Sequence, residues 1–178
     1  MDAVVRRIYC VDTSSFAYCQ RSFGQRSSRL TFYASVWDLL DRLADEERLL
    51  APHLVHIEIT KSNDEIGRWA QAHSAVFRPR GEHAARVVEI LKEPGQRLVD
   101  PTAPRGAEEA DPWVIALAAG ISAAPPTLFD PRRIGIVVSE EARVGGIADI
   151  CRRRGVEHLD FTEMLTTEGL SFSSAAAT

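Results

Sequence analysis

The sequence predicts an α/β domain on a mainly parallel sheet. Short apolar, β-branched runs alternate with segments whose apolar residues recur every three or four positions, the pattern of strands joined by helices. Clusters of Gly, Pro, Ser and Asp punctuate them. At 178 residues the chain is long enough for one domain with a sizeable core and needs no staples.

The first strand spans 8–11 and ends at Asp12. Residues 20–28, rich in Ser, Gly and Arg, read as a loop. Leu30, Tyr33, Val36, Trp37, Leu40 and Leu43 then define one face of an amphipathic helix, with Asp38, Asp41, Asp45 and Glu46 on its solvated side. Residues 48–51 form a short buried strand, and Pro52 suits the first turn of a helix carrying Leu54, Val55, Ile57, Glu58 and Ile59. Ser62 or Asn63 is expected to cap a helix containing Ile66, Trp69 and Ala70. Residues 82–91 read as another, stopped by Pro94 and Gly95.

Residues 100–105 read as a loop. Asp111, a short acceptor before Pro112, reads as the N-cap of a helix over 112–118. The Pro-containing stretch 121–133 reads as surface loop and 134–138 as a strand. A helix around 147–154 ends at Gly155, a strand covers 156–159, and a helix over 162–168 ends at Gly169. A single domain over 1–172 is expected, with a disordered tail over 173–178.

Composition excludes more than it selects. Hydrophobic residues make up 45% and charged residues 26%, ordinary values for a soluble globular protein. No apolar stretch approaches the ~20 residues that cross a bilayer, and Arg6 and Arg7 spoil a signal-peptide layout, so a cytoplasmic location is expected. Cys10, Cys19 and Cys151 are odd in number and not spaced as CxxC, against a disulfide framework or thiolate zinc site. The net charge of −4 does not advertise a nucleic-acid binder. Arg nevertheless clusters at Arg21, Arg26 and Arg29, at Arg78 and Arg80, and at Arg152 to Arg154. A metal ion also lets an acidic pocket bind a phosphate backbone.

Four acids stand at element boundaries: Asp12, Glu58, Asp111 and Glu141. Ligands of open parallel sheets bind beyond the carboxyl ends of the strands, where the strand order reverses. Asp12 and Glu141 follow strands, Asp111 starts a helix running back from the same edge, and Glu58 joins them if its short helix leans over the rim. Hard divalent cations such as Mg²⁺ or Mn²⁺ take such carboxylates and keep several waters. Asp12 is the strongest candidate, because a carboxylate at the end of a buried apolar strand loses solvation unless hydrogen bonds or a cation compensate. Zinc is disfavoured: His53 and His56 precede Glu58, but neither HExxH nor Pro-Cys-x-x-Cys is present. Ser14 stands where the phosphatases of the haloacid dehalogenase class have a second Asp, against aspartyl-phosphate chemistry.

At these residues the sequence resembles the PIN-domain nucleases, more narrowly the VapC-type toxins and a less characterised PIN-like family related to them. The matching segments are Ile8-Tyr9-Cys10-Val11-Asp12-Thr13-Ser14, Leu50-Ala51-Pro52-His53-Leu54-Val55-His56-Ile57-Glu58-Ile59, Ala110-Asp111-Pro112-Trp113-Val114-Ile115-Ala116-Leu117-Ala118, and Ile136-Val137-Val138-Ser139-Glu140-Glu141. The resemblance implies a PIN-like three-layer sandwich with a central, mainly parallel five-stranded sheet. It implies a Mg²⁺- or Mn²⁺-dependent endoribonuclease, the toxin of a toxin–antitoxin pair, often a homodimer, acting on RNA with an antitoxin protein as partner. Asp12, Glu58 and Asp111 carry over as metal-binding and catalytic acids, and Ser14 as support. The fourth acid departs from the pattern. VapC-type proteins usually have Asp two positions after a Thr or Ser, whereas Glu141 follows Ser139 here and Glu140 competes for the role.

On this reading Asp12, Asp111 and Glu141 hold the ion, with Glu58 a further ligand or the group orienting a water. Ser139 and Glu140 are supporting candidates. Lys61, Arg21 and Arg26 are candidates for the RNA backbone, with Arg29 in the same Arg-rich loop. The competing expectation is a catalytically silent PIN-like module binding RNA or protein through the apolar surfaces of the Trp37 and Trp69 helices.

Overall fold

The computed structural model describes residues 5–25, 31–99, 109–127 and 131–171. Arg26, Arg29, Leu30, the 100–105 loop and the 173–178 tail lie outside them.

The sheet has five strands: β1 (Arg6–Val11), β2 (Leu49–Pro52), β3 (Phe77–Arg78), β4 (Arg133–Val138) and β5 (Glu157–Leu159). Their order is β3-β2-β1-β4-β5 and every pair is parallel. The protein is thus α/β with an all-parallel sheet flanked by helices, the three-layer arrangement expected of a PIN-like chain. β1 and β4 pair along their full length, from Arg6 opposite Arg133 to Val11 opposite Val138. The backbone N–H of Asp12 extends this ladder, donating to Val138 O at 2.9 Å. The order reverses between these two strands, so the cleft between their carboxyl ends is where a ligand is expected.

The helices are α1 (Thr13–Phe23), α2 (Thr31–Asp45), α3 (His53–Ile59), α4 (Glu65–Ala72), α5 (Ala84–Leu91), α6 (Asp111–Ala123), α7 (Ile147–Arg154) and α8 (Phe161–Thr167). α6 packs along β1, β2 and β4, with α5 and α7 beside it. Its residues Val114 to Ala118 are all buried, as suits a helix covered on several sides. It lies very close to β4: a Cβ on Gly135 would stand 2.2 Å from Ala118 O, a clash that only glycine avoids. α1 packs with α3, α4 and α8, and α2 packs on β2.

Five sequence expectations are corrected. α1 is a helix through Phe23, so Gln20 and Arg21 are helical and not loop; it buries Phe16, Cys19 and Phe23. Pro52 ends β2 and only then caps α3. Asp64 caps α4, its carboxylate accepting Gly67 N–H at 2.9 Å, while the Ser62 hydroxyl donates to Asp64 at 2.8 Å. The cap of α6 is Ala110, which leaves the Asp111 carboxylate free of capping; the helix also runs on to Ala123, into the stretch expected to be loop. Trp37 and Trp69 are core residues, their indole N–H groups donating to Phe23 O and Asp41 at 2.8 Å each. The helix surfaces therefore do not present these rings to a partner.

The three cysteines are free and buried, and burial pushes the thiols of Cys19 and Cys151 up to about 12. Thiolate chemistry is closed to them. Among the described residues no helix is long and apolar enough to cross a membrane.

A long-range tie joins the last helix to the sheet. The Tyr9 hydroxyl donates to Glu168 at 2.7 Å, and Arg48 donates to the same carboxylate through two nitrogens, one at 3.0 Å. Glu168 is 8% exposed. Burial alone would raise its carboxyl, but the hydrogen bonds from Arg48 and Tyr9 prevail and hold it below the ordinary range. Removing one member of such a group strands the others. Glu168→Ala is expected to cost about 3 kcal/mol or more, measured by urea unfolding at neutral pH. Because the folded-state value is depressed, the contribution is present above the unfolded carboxyl value and fades as pH falls through the folded one, so the deficit should shrink in acid.

Candidate acidic site

Asp12 sits at the end of β1 and caps α1. It is 4% exposed. Its Oδ2 takes the Ser14 backbone N–H at 3.0 Å and the Ser14 hydroxyl at 2.7 Å. Its Oδ1 is buried with no hydrogen-bond partner. Such an oxygen loses hydration with nothing in return. Ser14 fills its expected supporting place twice over, since its Oγ also accepts the Glu140 N–H at 3.1 Å and so ties the β1 rim to the β4 rim.

Asp111 opens α6 on the same edge. Burial is the main cause that lifts its carboxyl to about 8, and the carboxylates of Asp12, Glu141 and Glu109 add to the shift while the Arg143 guanidinium opposes it. Asp12, Glu141 and Glu109 thus lie within electrostatic range of Asp111. Glu109 was not foreseen. The signal was present in the acidic pair that precedes Asp111, Glu108 and Glu109.

The two adjacent glutamates part company. Glu141 accepts the Ile147 N–H at the start of α7 at 3.1 Å and pairs with Arg143. Glu140 turns the other way, accepting the Phe161 N–H at 2.9 Å and the Ser15 hydroxyl at 3.1 Å. Glu141 is therefore the one beside Asp111, and Glu140 joins β4 to α8. Ser139 also faces away from the acids, its hydroxyl 2.9 Å from His158 Nε2.

Glu58 reaches the rim indirectly, through a hydrogen bond from the Thr13 hydroxyl. Lys61 is exposed in the turn after α3. Arg21 lies in the last turn of α1, nine positions and about 13 Å of helix rise from Asp12. His53 is exposed and stacks on His56, which packs against Phe77 at 4.6 Å; no zinc set forms there.

The donors fit a hard divalent cation in kind: all are carboxylate oxygens, one of them buried and unsatisfied. They fit less well in closeness. Among the described residues no three His, Cys, Asp or Glu side chains are gathered tightly enough to enclose an ion. Positive charge is already present in Arg143, whose guanidinium pairs with Glu141 and lies 3.8 Å from Asp111.

Comparison with known proteins adds a family. No curated protein matches the chain. A family model described as domain of unknown function (DUF4411) matches residues 9–172, a span that runs from the middle of β1 through α8 and takes in every acid of the rim. The chain belongs to that family, DUF4411.

Proposed function

We propose that this protein is a Mg²⁺- or Mn²⁺-dependent endoribonuclease, acting as the toxin of a toxin–antitoxin pair. The observation that carries the reading is the unsatisfied, buried Oδ1 of Asp12 at the switch point of a parallel sheet, with Asp111 and Glu141 beside it. Of the partners open to a buried carboxylate oxygen, a cation answers both its charge and its lone pairs.

Asp12, Asp111 and Glu141 would hold the ion. When bound, it lowers the pKa of a coordinated water and neutralises charge on the phosphate oxygens, the chemistry of phosphodiester hydrolysis to a 5′-phosphate and a 3′-hydroxyl. The remaining work falls to the chain. Ser14 fixes the Asp12 carboxylate so that Oδ2 faces its own donors and Oδ1 is left for the site. Thr13 holds Glu58 at the edge, where that carboxylate orients water or adds a ligand. Glu140 fastens α8 and keeps the loop after β4 in place. Lys61, exposed one residue beyond the α3 cap, is available to the RNA backbone. An antitoxin protein and a homodimer belong to the same reading.

Asp12→Asn should abolish Mn²⁺-dependent cleavage of single-stranded or structured RNA while the protein stays folded by circular dichroism. RNA left intact by concentrated wild-type protein in Mn²⁺ would sink the nuclease reading. Expressed alone, the wild-type chain should arrest growth and Asp12→Asn should not; unimpaired growth counts against the toxin role.

Asp111 gives a prediction independent of activity. Its folded-state value of about 8 lies above the unfolded 3.8, so the protonated form favours folding at low pH and that advantage is lost as pH rises toward 8. In chelator, Tm should fall between about pH 5 and 8 and level off above that, and Mn²⁺ should restore it. Asp111→Asn should flatten the chelator profile and remove most of the Mn²⁺ response in differential scanning fluorimetry.

A further inference from the structure

Among the described residues Arg143 is the cation set directly on Asp111 and Glu141, and its position is built into the loop that carries it. Between β4 and α7 the chain makes a compact turn through Gly145, at φ +79, and Gly146. A Cβ on Gly146 would stand 2.8 Å from the Arg143 Cγ and 2.8 Å from the Glu141 Cδ. Only a bare backbone leaves the two side chains room to fold together. The turn is fastened from both sides: Arg97 N–H donates to Gly145 O at 2.7 Å, and Gly145 N–H to Asp149 at 2.9 Å. The nearby arginines of α7 are engaged elsewhere, Arg152 and Arg153 with Asp149 and Arg154 with Glu93.

The guanidinium itself is shared. Nε donates to Glu141, one terminal nitrogen lies 3.8 Å from Asp111, and the same nitrogen donates to Arg97 O at 2.9 Å. Arg143 is 56% exposed, against 18% for Glu141 and 22% for Asp111. It therefore covers the acids on their solvent side, where a substrate would approach. One positive charge cannot balance three carboxylates.

We infer that Arg143 is a phosphate-binding residue held in reserve: it occupies Asp111 and Glu141 in the resting protein, yields them to a divalent ion, and then forks onto the phosphate of the RNA. This rests on the nuclease reading. Ion and guanidinium compete for the same carboxylate oxygens, so filling the site with divalent charge cancels most of the attraction that holds Arg143 there. The anion then nearest to Arg143 is the substrate phosphate, whose oxygens match the planar donor fork of arginine and not the point charge of lysine.

The test begins with Mn²⁺ alone. Isothermal titration calorimetry of wild type, Arg143→Gln, Arg143→Lys and the charge control Arg68→Gln should show the glutamine variant binding Mn²⁺ about two- to fivefold more tightly, the effect of losing one partly exposed ion pair. Arg68→Gln should match wild type. A purely structural role for Arg143 would loosen the site and weaken binding. In RNA cleavage, kcat should fall in both Arg143 variants, with lysine keeping metal affinity near wild type without restoring rate; the lysine variant thus carries the test alone if glutamine destabilises the fold. Mn²⁺ affinity unchanged or weaker in Arg143→Gln, equal tightening in Arg68→Gln, or undiminished cleavage by both variants overturns the inference while leaving the nuclease reading intact. No Mn²⁺ uptake and no cleavage by wild type overturns both.

Discussion

The acidic rim depends on how closely α6 can lie against β4. The backbone of Ala118 occupies the space that a side chain at Gly135 would need, and the Ser122 hydroxyl accepts the Gly135 N–H at 2.9 Å. Held at that separation, the helix delivers its first residue, Asp111, into the field of Asp12 and Glu141. The raised carboxyl of Asp111 is the electrostatic result of that packing. A bulkier residue at 135 would lift the whole helix, because interiors are packed too densely to absorb the change locally.

The rim concentrates like charge where the rest of the molecule has resolved its own. Elsewhere the acids are answered: Glu168 by Arg48 and Tyr9, Asp149 by two arginines, Asp160 and Glu163 by a reciprocal cap on α8. Asp111 and Glu141 share the half-exposed guanidinium of Arg143, and Oδ1 of Asp12 is left unpaired. Local cost at one spot in an otherwise consistent structure is the usual mark of a working site.

Much of this was legible in the sequence, for reasons that also explain the misses. β1, β2 and β4 carry runs of buried apolar residues, which a sequence reading finds easily; β5 is short and only partly buried. β3 is two residues long and has no pattern of its own; only the family resemblance supplied a fifth strand. α1 was overlooked because Thr13, Ser14, Ser15 and Ser22 are weak helix formers; burial of Phe16, Cys19 and Phe23 overrides that preference. Asp111 satisfied every local rule for a cap, yet its side chain is claimed by the rim. Asp12, Asp111 and Glu141 are singled out by their places at strand and helix ends. The parting of Glu140 from Glu141 is not, since it depends on which neighbouring helix start each one reaches. Arg143 sits two residues from Glu141, and nothing in that spacing foretells a turn tight enough to fold it back.

The pairing of β1 with β4 brings together residues far apart along the chain, and Ser14 donates to Asp12 while accepting from Glu140. No segment short of β4 contains a rim. During synthesis β1 can pair with β2 early but must wait for more than a hundred residues before β4 emerges on its other side, and closing so long a loop is slow. A nascent chain therefore carries its acids apart, and whatever the assembled site does begins only once the protein is nearly complete.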